Sequence, residues 1–309
     1  MKKLALVTGG AGFIGSHLTD VLVGRGWDVA ILDDLSTGSR KNVSPGATLH
    51  VVDIRKPAAA ALVRKLKPAA VFHLGAQVSV TESLKRPAKD IETNLLATTN
   101  LLEASADVGV KRFVFASSAA VFGTLDVPLP TDESATVAPA SPYGITKYAG
   151  ERFCAFYRSA RKLPTVALRF ANVYGPRQSR VGEAGVIAVF AKRMLAKQAV
   201  AVNGDGTQTR DFVYVTDVVD AMLAALDRPK AAGPYHIGTG VETTIRDLFT
   251  KMTKETGYRS RARKGPKDRD AVVRSALDAR RAKLEIGWMP KVGLDEGLHE
   301  TVAWFREQA

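Results

Sequence analysis

The fold predicted for this chain is α/β: a doubly wound parallel sheet covered by helices on both faces, followed by a smaller C-terminal α/β lobe. Three features carry that expectation. Short apolar runs alternate with helix-spaced segments through the first third of the 309 residues. The runs are nearly continuous in Val, Leu, Ile, Ala and Phe, as strands buried on both faces are. A glycine-rich turn joins the first run to the first helical segment. Parallel neighbours need a right-handed crossover, usually through a helix, so the strand–helix beat implies parallel pairing.

In chain order, KLALVT (3–8) is the first strand, and residues 12–25 bring Ile14, Leu18, Val21 and Leu22 to one helical face. DVAILDD (28–34), TLHVVDI (48–54), AAVFHLGA (69–76) and KRFVFASS (111–118) read as further strands, with helices over 59–66 and 94–108. After the proline-rich stretch 127–142 a helix begins near Tyr143, and TVALRFANV (165–173) is the next strand. The pattern then loosens. VYGPRQSRVGEAG (173–185) and NGDGTQTRDF (203–212) are polar, glycine-rich loops, of the kind that hold ligands above a rigid scaffold. Helices over 244–256, 278–285 and 294–307 belong to the lobe. The expected division is 1–172 with about 213–238 in the sheet domain, and about 173–212 with 239–309 in the lobe.

Composition narrows the function classes. Hydrophobic residues at 46% and charged residues at 24% exclude disordered and collagen-like chains. No apolar run approaches the roughly 20 residues that cross a bilayer, and the opening MKKLALVTGG reaches its glycines too early for a signal peptide. A cytoplasmic protein without membrane contact is expected. Cys154 is the single cysteine, which excludes an internal disulfide, a cysteine-rich zinc site and a redox pair; it reads as a packed thiol, and no metal site is expected. The net charge of +13 invites a nucleic-acid reading. However, residues 251–291 alone hold 13 Lys/Arg against 5 Asp/Glu, with Tyr258 and Trp288 as the only aromatics among them. A solvated basic face or a lining for an anionic small molecule accounts for that excess, and nucleic acid is not expected as a partner.

In TGGAGFIG, Gly9, Gly12 and Gly15 are three residues apart between the first strand and the first helix. Glycines there let helix N-terminal amides approach a pyrophosphate. The second strand ends in Asp33, 18 residues beyond Gly15, where a carboxylate can accept both hydroxyls of an adenine ribose. This is a Rossmann-like dinucleotide site. Asp33 would repel a 2′-phosphate, so NAD is expected rather than NADP. Asp53-Ile54 and Leu74-Gly75-Ala76 lie at the carboxyl ends of the third and fourth strands, where open sheets bind ligands. Asn94 supplies an amide able to orient a cofactor-side element or to cap a helix.

Tyr143 and Lys147 are one turn apart on the same helical face. A phenol with a reference pKa of about 10 is a poor base at neutral pH, but a neighbouring ammonium favours the phenolate; a depression of about three units corresponds to roughly 4 kcal/mol. Such a phenolate can deprotonate a sugar hydroxyl. Ser118, ending a strand, can hydrogen-bond the same hydroxyl.

With these residues in hand, the chain resembles the extended short-chain dehydrogenase/reductase family, and within it the nucleotide-sugar 4-epimerases of the UDP-glucose 4-epimerase type. The resemblance runs through TGGAGFIGSHL, ILDDLSTG, VVDIR, VFHLGAQ, SSAAVFG, SPYGITK, RFANVYGPRQ and NGDGTQTRDFVYVTDV, over essentially the whole length. It implies tightly bound NAD, contacted by the turn including Phe13 and Ile14, by Asp34, Ser36, Thr37 and Gly38 beyond Asp33, and by Gln77 and Asn94. It implies that Tyr143 is the base, that Lys147 holds the nicotinamide ribose and that Ser118 touches the sugar. The reaction implied is inversion at C4 of a UDP-hexose through a transient 4-keto sugar, with NAD regenerated each cycle. A homodimer built on two helices per subunit, near 94–108 and 143–161, is also implied.

On the substrate side the resemblance places Asn172 and Arg210 at the diphosphate, Gln208 and Val202 at the uridine, and Val186 with Ile187 at a helix start facing the nucleotide. A second phosphate-binding arginine falls in RARKGPKDRDAVVRS, where Arg269 is the choice, with Lys267 and Arg263 as rivals. Related 4,6-dehydratases carry an Asp-Glu pair after the position of Ser118; here Ala119-Ala120 stand, so dehydration lacks its acids. Gly75-Ala76 and Phe122 are smaller departures from the family pattern. Neutral Asn172 favours a neutral sugar, UDP-glucose and UDP-galactose, whereas Arg180 and the basic lobe keep UDP-glucuronate open beside an N-acetylated sugar. A one-way nucleotide-sugar reductase and a non-catalytic dinucleotide binder are the readings from other classes.

Overall fold

Side chains alternate across a strand, so one strand buried on both faces feeds two cores. In β1 (Leu4–Thr8) Ala5 and Val7 enter one core and Leu6 the other, and in β2 (Asp28–Asp33) Val29 and Ile31 part from Ala30 and Leu32 in the same way. The computed structural model describes residues 3–124, 128–178, 185–266 and 272–308. Between these strands runs α1 (Phe13–Gly24). The chain continues through β3 (Ala47–Val51), α2 (Pro57–Leu66), β4 (Ala70–His73), α3 (Val80–Lys85), α4 (Pro87–Asp90), a π-helical turn Ile91–Leu96, α5 (Ala97–Asp107) and β5 (Arg112–Ser118). Next come a 3-10 turn Ala119–Phe122, α6 (Pro142–Ala160), β6 (Thr165–Phe170), β7 (Asn172–Tyr174), α7 (Val186–Leu195), β8 (Ala201–Asn203), β9 (Thr209–Arg210), β10 (Phe212–Tyr214) and α8 (Val215–Leu226). The remainder is β11 (Tyr235–Ile237), β12 (Thr243–Thr244), α9 (Ile245–Thr256), β13 (Arg263–Gly265), α10 (Arg280–Ile286) and α11 (Leu294–Glu307).

Seven parallel strands form the main sheet in the order β11-β6-β5-β4-β1-β2-β3. The predicted doubly wound sheet is therefore present. Its order reverses between β1 and β4, and in open sheets such a reversal opens a crevice at the carboxyl ends of the strands. Short strand pairs β7/β10, β8/β13 and β9/β12 carry the loops above it. A separate core gathers α7, α9 and α11 through Phe190, Leu248, Met252, Leu298 and Phe305. From α10 and the residues after it, Ala282, Ile286 and Trp288 instead join the core beneath the sheet.

Element boundaries differ from the sequence reading where capping and packing decide. The segment expected to be one helix over 94–108 starts at Pro87 and passes through the π turn before α5. The strand expected over 165–173 breaks at Ala171, and β7 leaves the main sheet to pair with β10. Cys154 is a free, buried thiol whose pKa burial pushes up. Among the described residues no helix is long and apolar enough to cross a membrane, and no cluster of side chains is suited to a metal ion.

Candidate active site

At the reversal point the loops leaving β1 and β4 touch backbone to backbone. Gly9 has φ +68°, and a Cβ on it would come within 2.9 Å of the Gly75 nitrogen. A Cβ on Gly15 would overlap the Gly9 carbonyl oxygen. The glycines thus let the turn, the start of α1 and the loop after β4 pack backbone against backbone, with no side chain over the helix start. The first turn of α1 brings no acidic residue and no side-chain cap, so its amides keep the capacity to bind an anion. Phe13 and Ile14 begin that turn, half-buried, and reach into the core of the lobe.

Asp33 ends β2 almost fully buried, accepting from the Ala11 amide at 3.0 Å and the Leu35 amide at 2.8 Å. Burial raises its pKa against the pull of those two amides. Each carboxylate oxygen retains acceptor capacity, and Gly38 lets the following loop close over it, since a Cβ there would meet Asp33 Oδ1 at 2.8 Å. Asp34 lies outside, taking the amide and hydroxyl of Ser36, and Thr37 is exposed. At the end of β3, Asp53 is gripped by the Arg55 guanidinium, which holds its carboxyl below the usual range; Ile54 is half-buried. These features fit a dinucleotide: a side-chain-free cradle at a helix start and a carboxylate at the end of β2.

The loop after β4 is held by a buried relay. The Leu74 and Gly75 amides donate to Thr8 Oγ1 at 3.1 and 2.9 Å. Thr8 Oγ1 lies 2.7 Å from His73 Nδ1, and His73 Nε2 lies 2.8 Å from Thr98 Oγ1, whose hydroxyl donates to the Asn94 carbonyl. With the Thr98 proton committed, Nε2 carries the imidazole hydrogen and Nδ1 accepts from Thr8. Burial and the Lys147 charge keep His73 neutral, with a pKa pushed down to about 3. Asn94 spends its amide on the same loop, accepting from the Gln77 amide and donating to the Gln77 carbonyl, both at 2.8 Å. It therefore orients the strand end rather than starting a helix. Ala76 lies between these anchors, half-buried.

Across the crevice Ser118 ends β5, and its Oγ accepts from the Ala120 amide at 3.2 Å, opening the turn Ala119–Phe122. Ser141 caps α6 by accepting from the Gly144 amide, with Pro142 in the first turn. A Cβ on Gly144 would sit 2.5 Å from the Ala120 carbonyl oxygen, so the helix start carrying Tyr143 packs directly on the turn that follows Ser118. One helical turn on, Lys147 is almost fully buried and donates to the Ala116 carbonyl at 2.9 Å. Its Nζ is 5.8 Å from the centre of the Tyr143 ring. Burial lowers the Lys147 pKa to about 8, with the Asp90 charge opposing the shift. A hydroxyl, a phenol and a buried ammonium are thus gathered at the start of α6, which Asp90 ties to Gln77 in the loop after β4.

The substrate-side residues are more dispersed. Asn172 is exposed at the start of β7, its backbone amide bonded to the Asp211 carbonyl. Arg210 is half-buried and donates to the Thr209 and Val272 carbonyls, and desolvation lowers its pKa. Val186 is half-buried at the start of α7, while the Ile187 side chain is consumed by the core of the lobe, leaving only its first-turn amide for a ligand. Gln208 donates to the Asn203 carbonyl. Val202 lines a cavity of about 210 Å³ with Arg246, Arg263 and Lys264, and none of Ser118, Tyr143 or Lys147 lines it. Arg269, its rival Lys267, and Arg180 lie outside the described residues.

Several polar residues escaped the sequence reading. Asp90, Thr146 and the buried Glu151–Arg169 ion pair all flank Lys147 on α6 or support that helix. The Ser117 hydroxyl donates to Glu151 at 2.5 Å. The available signal was a charged or polar residue within an otherwise apolar run, as with His73 in AVFH and Arg169 in TVALRF.

Comparison with known proteins places the chain in a family. The model of the NAD dependent epimerase/dehydratase family matches residues 5–238. The chain is 41% identical to a UDP-glucose 4-epimerase of Mycolicibacterium smegmatis, over 98% of this chain and 99% of that one. It is 42% identical to the UDP-glucose 4-epimerase of Thermotoga maritima solved with UDP-glucose, with a TM-score of 0.95 over 99% of each chain. The Thermus thermophilus UDP-glucose 4-epimerase in complex with NAD is 39% identical, with a TM-score of 0.93 over 99% of this chain and all of that one.

Proposed function

The chain belongs to the NAD dependent epimerase/dehydratase family, and on that premise we propose that it is a UDP-hexose 4-epimerase interconverting UDP-glucose and UDP-galactose. The observation that carries the reading is the gathering of Ser118, Tyr143 and Lys147 at the carboxyl end of β5 and the start of α6. The relatives named above support the choice of sugar. The chemistry supplied by bound NAD is reversible hydride acceptance, which keeps the conversion redox-neutral.

The chain's own residues then have distinct tasks. Gly9, Gly12 and Gly15 with the first turn of α1 hold the pyrophosphate, and Asp33 takes the adenine ribose. The Tyr143 phenolate removes the proton from the C4 hydroxyl, and Ser118 hydrogen-bonds the same oxygen. Lys147 holds the nicotinamide ribose and favours the phenolate. After the 4-keto sugar has presented its other face, Tyr143 returns the proton. Asn172 and Arg210 take the diphosphate, where a guanidinium fork suits phosphate oxygens. The lobe expected over about 173–212 with 239–309, without α10, whose side chains join the sheet core, covers the nucleotide.

A homodimer completes the proposal. Ile145, Phe153 and Phe156 on α6 are large apolar side chains left exposed, but of the other helix expected near 94–108 only Leu96 is, the rest of that exposed surface lying before it at Val80, Leu84 and Ile91. Such a concentration on adjacent helices marks an interaction surface.

The test is product analysis by NMR after incubating purified protein, without added cofactor, separately with UDP-galactose, UDP-glucuronate and UDP-N-acetylglucosamine. Conversion of UDP-galactose to UDP-glucose is expected. Inversion of another substrate instead would reassign the sugar, and turnover only with added NADH or NADPH would make the protein a one-way reductase.

A further inference from the structure

Asp90 is only 1% exposed at the end of α4, and its three hydrogen-bond donors are all neutral. Gln77 Nε2 donates to Oδ1 at 2.7 Å, Asn94 Nδ2 donates to Oδ1 at 3.2 Å, and the Thr146 hydroxyl donates to Oδ2 at 2.6 Å. A buried carboxylate costs several kcal/mol unless a cation offsets it. Thr146 immediately precedes Lys147 on α6, and Lys147 is itself buried, donating to the Ala116 carbonyl at 2.9 Å. We propose that Asp90 is the counter-charge of Lys147: a positioning residue whose carboxylate keeps the lysine protonated, while its hydrogen bonds join the cofactor-side loop at Gln77 to α6.

The other groups around Lys147 cannot do this. His73, facing it from β4, is neutral and its own pKa is lowered by the lysine. Phe115, 5.2 Å from Nζ on β5, carries no charge. Tyr143 on α6 is the group that Lys147 is proposed to serve. Glu151, one turn further along α6, is committed to Arg169 through hydrogen bonds of 2.8 and 2.7 Å. Burial pushes the lysine toward neutrality, and the Asp90 charge opposes it. One carboxylate therefore sets the upper edge of the pH range in which Lys147 remains an ammonium.

This proposal rests on the reading in which charged Lys147 assists Tyr143, and its first readout does not depend on any sugar. In purified protein labelled with 13C-lysine, the Lys147 signal is assigned by its loss in Lys147→Met and titrated by NMR. Asp90→Asn should lower the pH at which Lys147 loses its proton by about one unit or more and draw in the alkaline limb of the epimerase pH profile equally. Thr146→Val, which removes one hydrogen bond but keeps the charge, should shift it by less than half as much. An unchanged Lys147 titration in Asp90→Asn, or an equal shift in Thr146→Val, overturns the proposal. A Lys147 shift in protein that converts none of the sugars would uphold the pairing and reject the substrate reading alone. Should Asp90→Asn fold poorly, the double variant with Lys147→Met must recover soluble protein or melting temperature, since both buried charges are then gone; a double variant no better than Asp90→Asn overturns the proposal.

Discussion

A phenol becomes a useful base only where its ionised form is favoured, and the residues that favour it here lie within one helical turn. Tyr143 and Lys147 share a face of α6, with Nζ 5.8 Å from the ring centre. Replacing Tyr143 with Phe removes the hydroxyl and leaves the ring packing. Turnover should fall by about 10²–10⁴-fold, the usual contribution of a general base, with bound NAD and melting temperature unchanged. Activity within tenfold of the parent would remove Tyr143 from the mechanism; chromophore content after gel filtration and the melting curve check the rest. At this scale the sequence was informative because spacing alone puts the pair on one face. Asp33 was also legible as a strand-end carboxylate, but its second task, tying the glycine loop through the Ala11 amide at 3.0 Å, was not. That bond joins residues 22 apart and depends on where β1 and β2 pair.

Between elements, the buried relay Thr8–His73–Thr98–Asn94 links β1, β4 and the helical segment that covers them. It has a consequence for pH. The folded-state pKa of His73 is about 3, below its ordinary 6.5, so between those values the unfolded chain holds a proton that the folded chain does not. Stability must fall on acidification through that window, by about 1.4 kcal/mol per pH unit for one such proton. His73→Asn should flatten the dependence of unfolding free energy on pH between 6 and 4.5 by about that slope, although the variant loses stability at pH 7. His236, lowered to about 4, contributes similarly in both proteins and cancels in the comparison. Denaturant unfolding at a series of pH values measures the slopes, and equal slopes would show that His73 takes up a proton in the folded state. The glycine turn and the capped start of α6 were readable from sequence; the π turn was not, because Ile91–Leu96 has ordinary helical composition and its widened register follows from the tertiary anchors at Asp90 and Asn94.

For the whole molecule, the exposed apolar surface on α3 to the π turn and on α6 is the feature with the largest consequence. Ile145, Phe153 and Phe156 recur at spacings of eight and three residues on α6, and Phe156 is 56% exposed. Placing a charge at the centre of such a surface opposes its burial against a second copy. Phe156→Glu should convert a dimer to a monomer in sedimentation velocity, with little change in the far-ultraviolet circular dichroism. A wild-type protein already monomeric at micromolar concentration would refute the proposed dimer. Because α6 also carries Tyr143 and Lys147, the same variant reports whether association supports turnover.

The fold class, the glycine turn between β1 and α1 and the spacing of Tyr143 and Lys147 are properties of local pattern. Nearly continuous apolar runs separated by helix-spaced segments, glycines spaced by three, and a phenol four residues from an ammonium all act over a few residues, so the sequence by itself determined them. The partners of buried charge were decided only by the tertiary structure. Asp90 meets Thr146 across 56 residues, Thr8 meets His73 across 65, and Arg169 meets His236 across 67. Nothing in local spacing brings these groups together; they meet because the parallel sheet pairs β1 with β4 and β6 with β11 and the helices above it pack α4 against α6, and there each buried polar group must find its partner inside the protein.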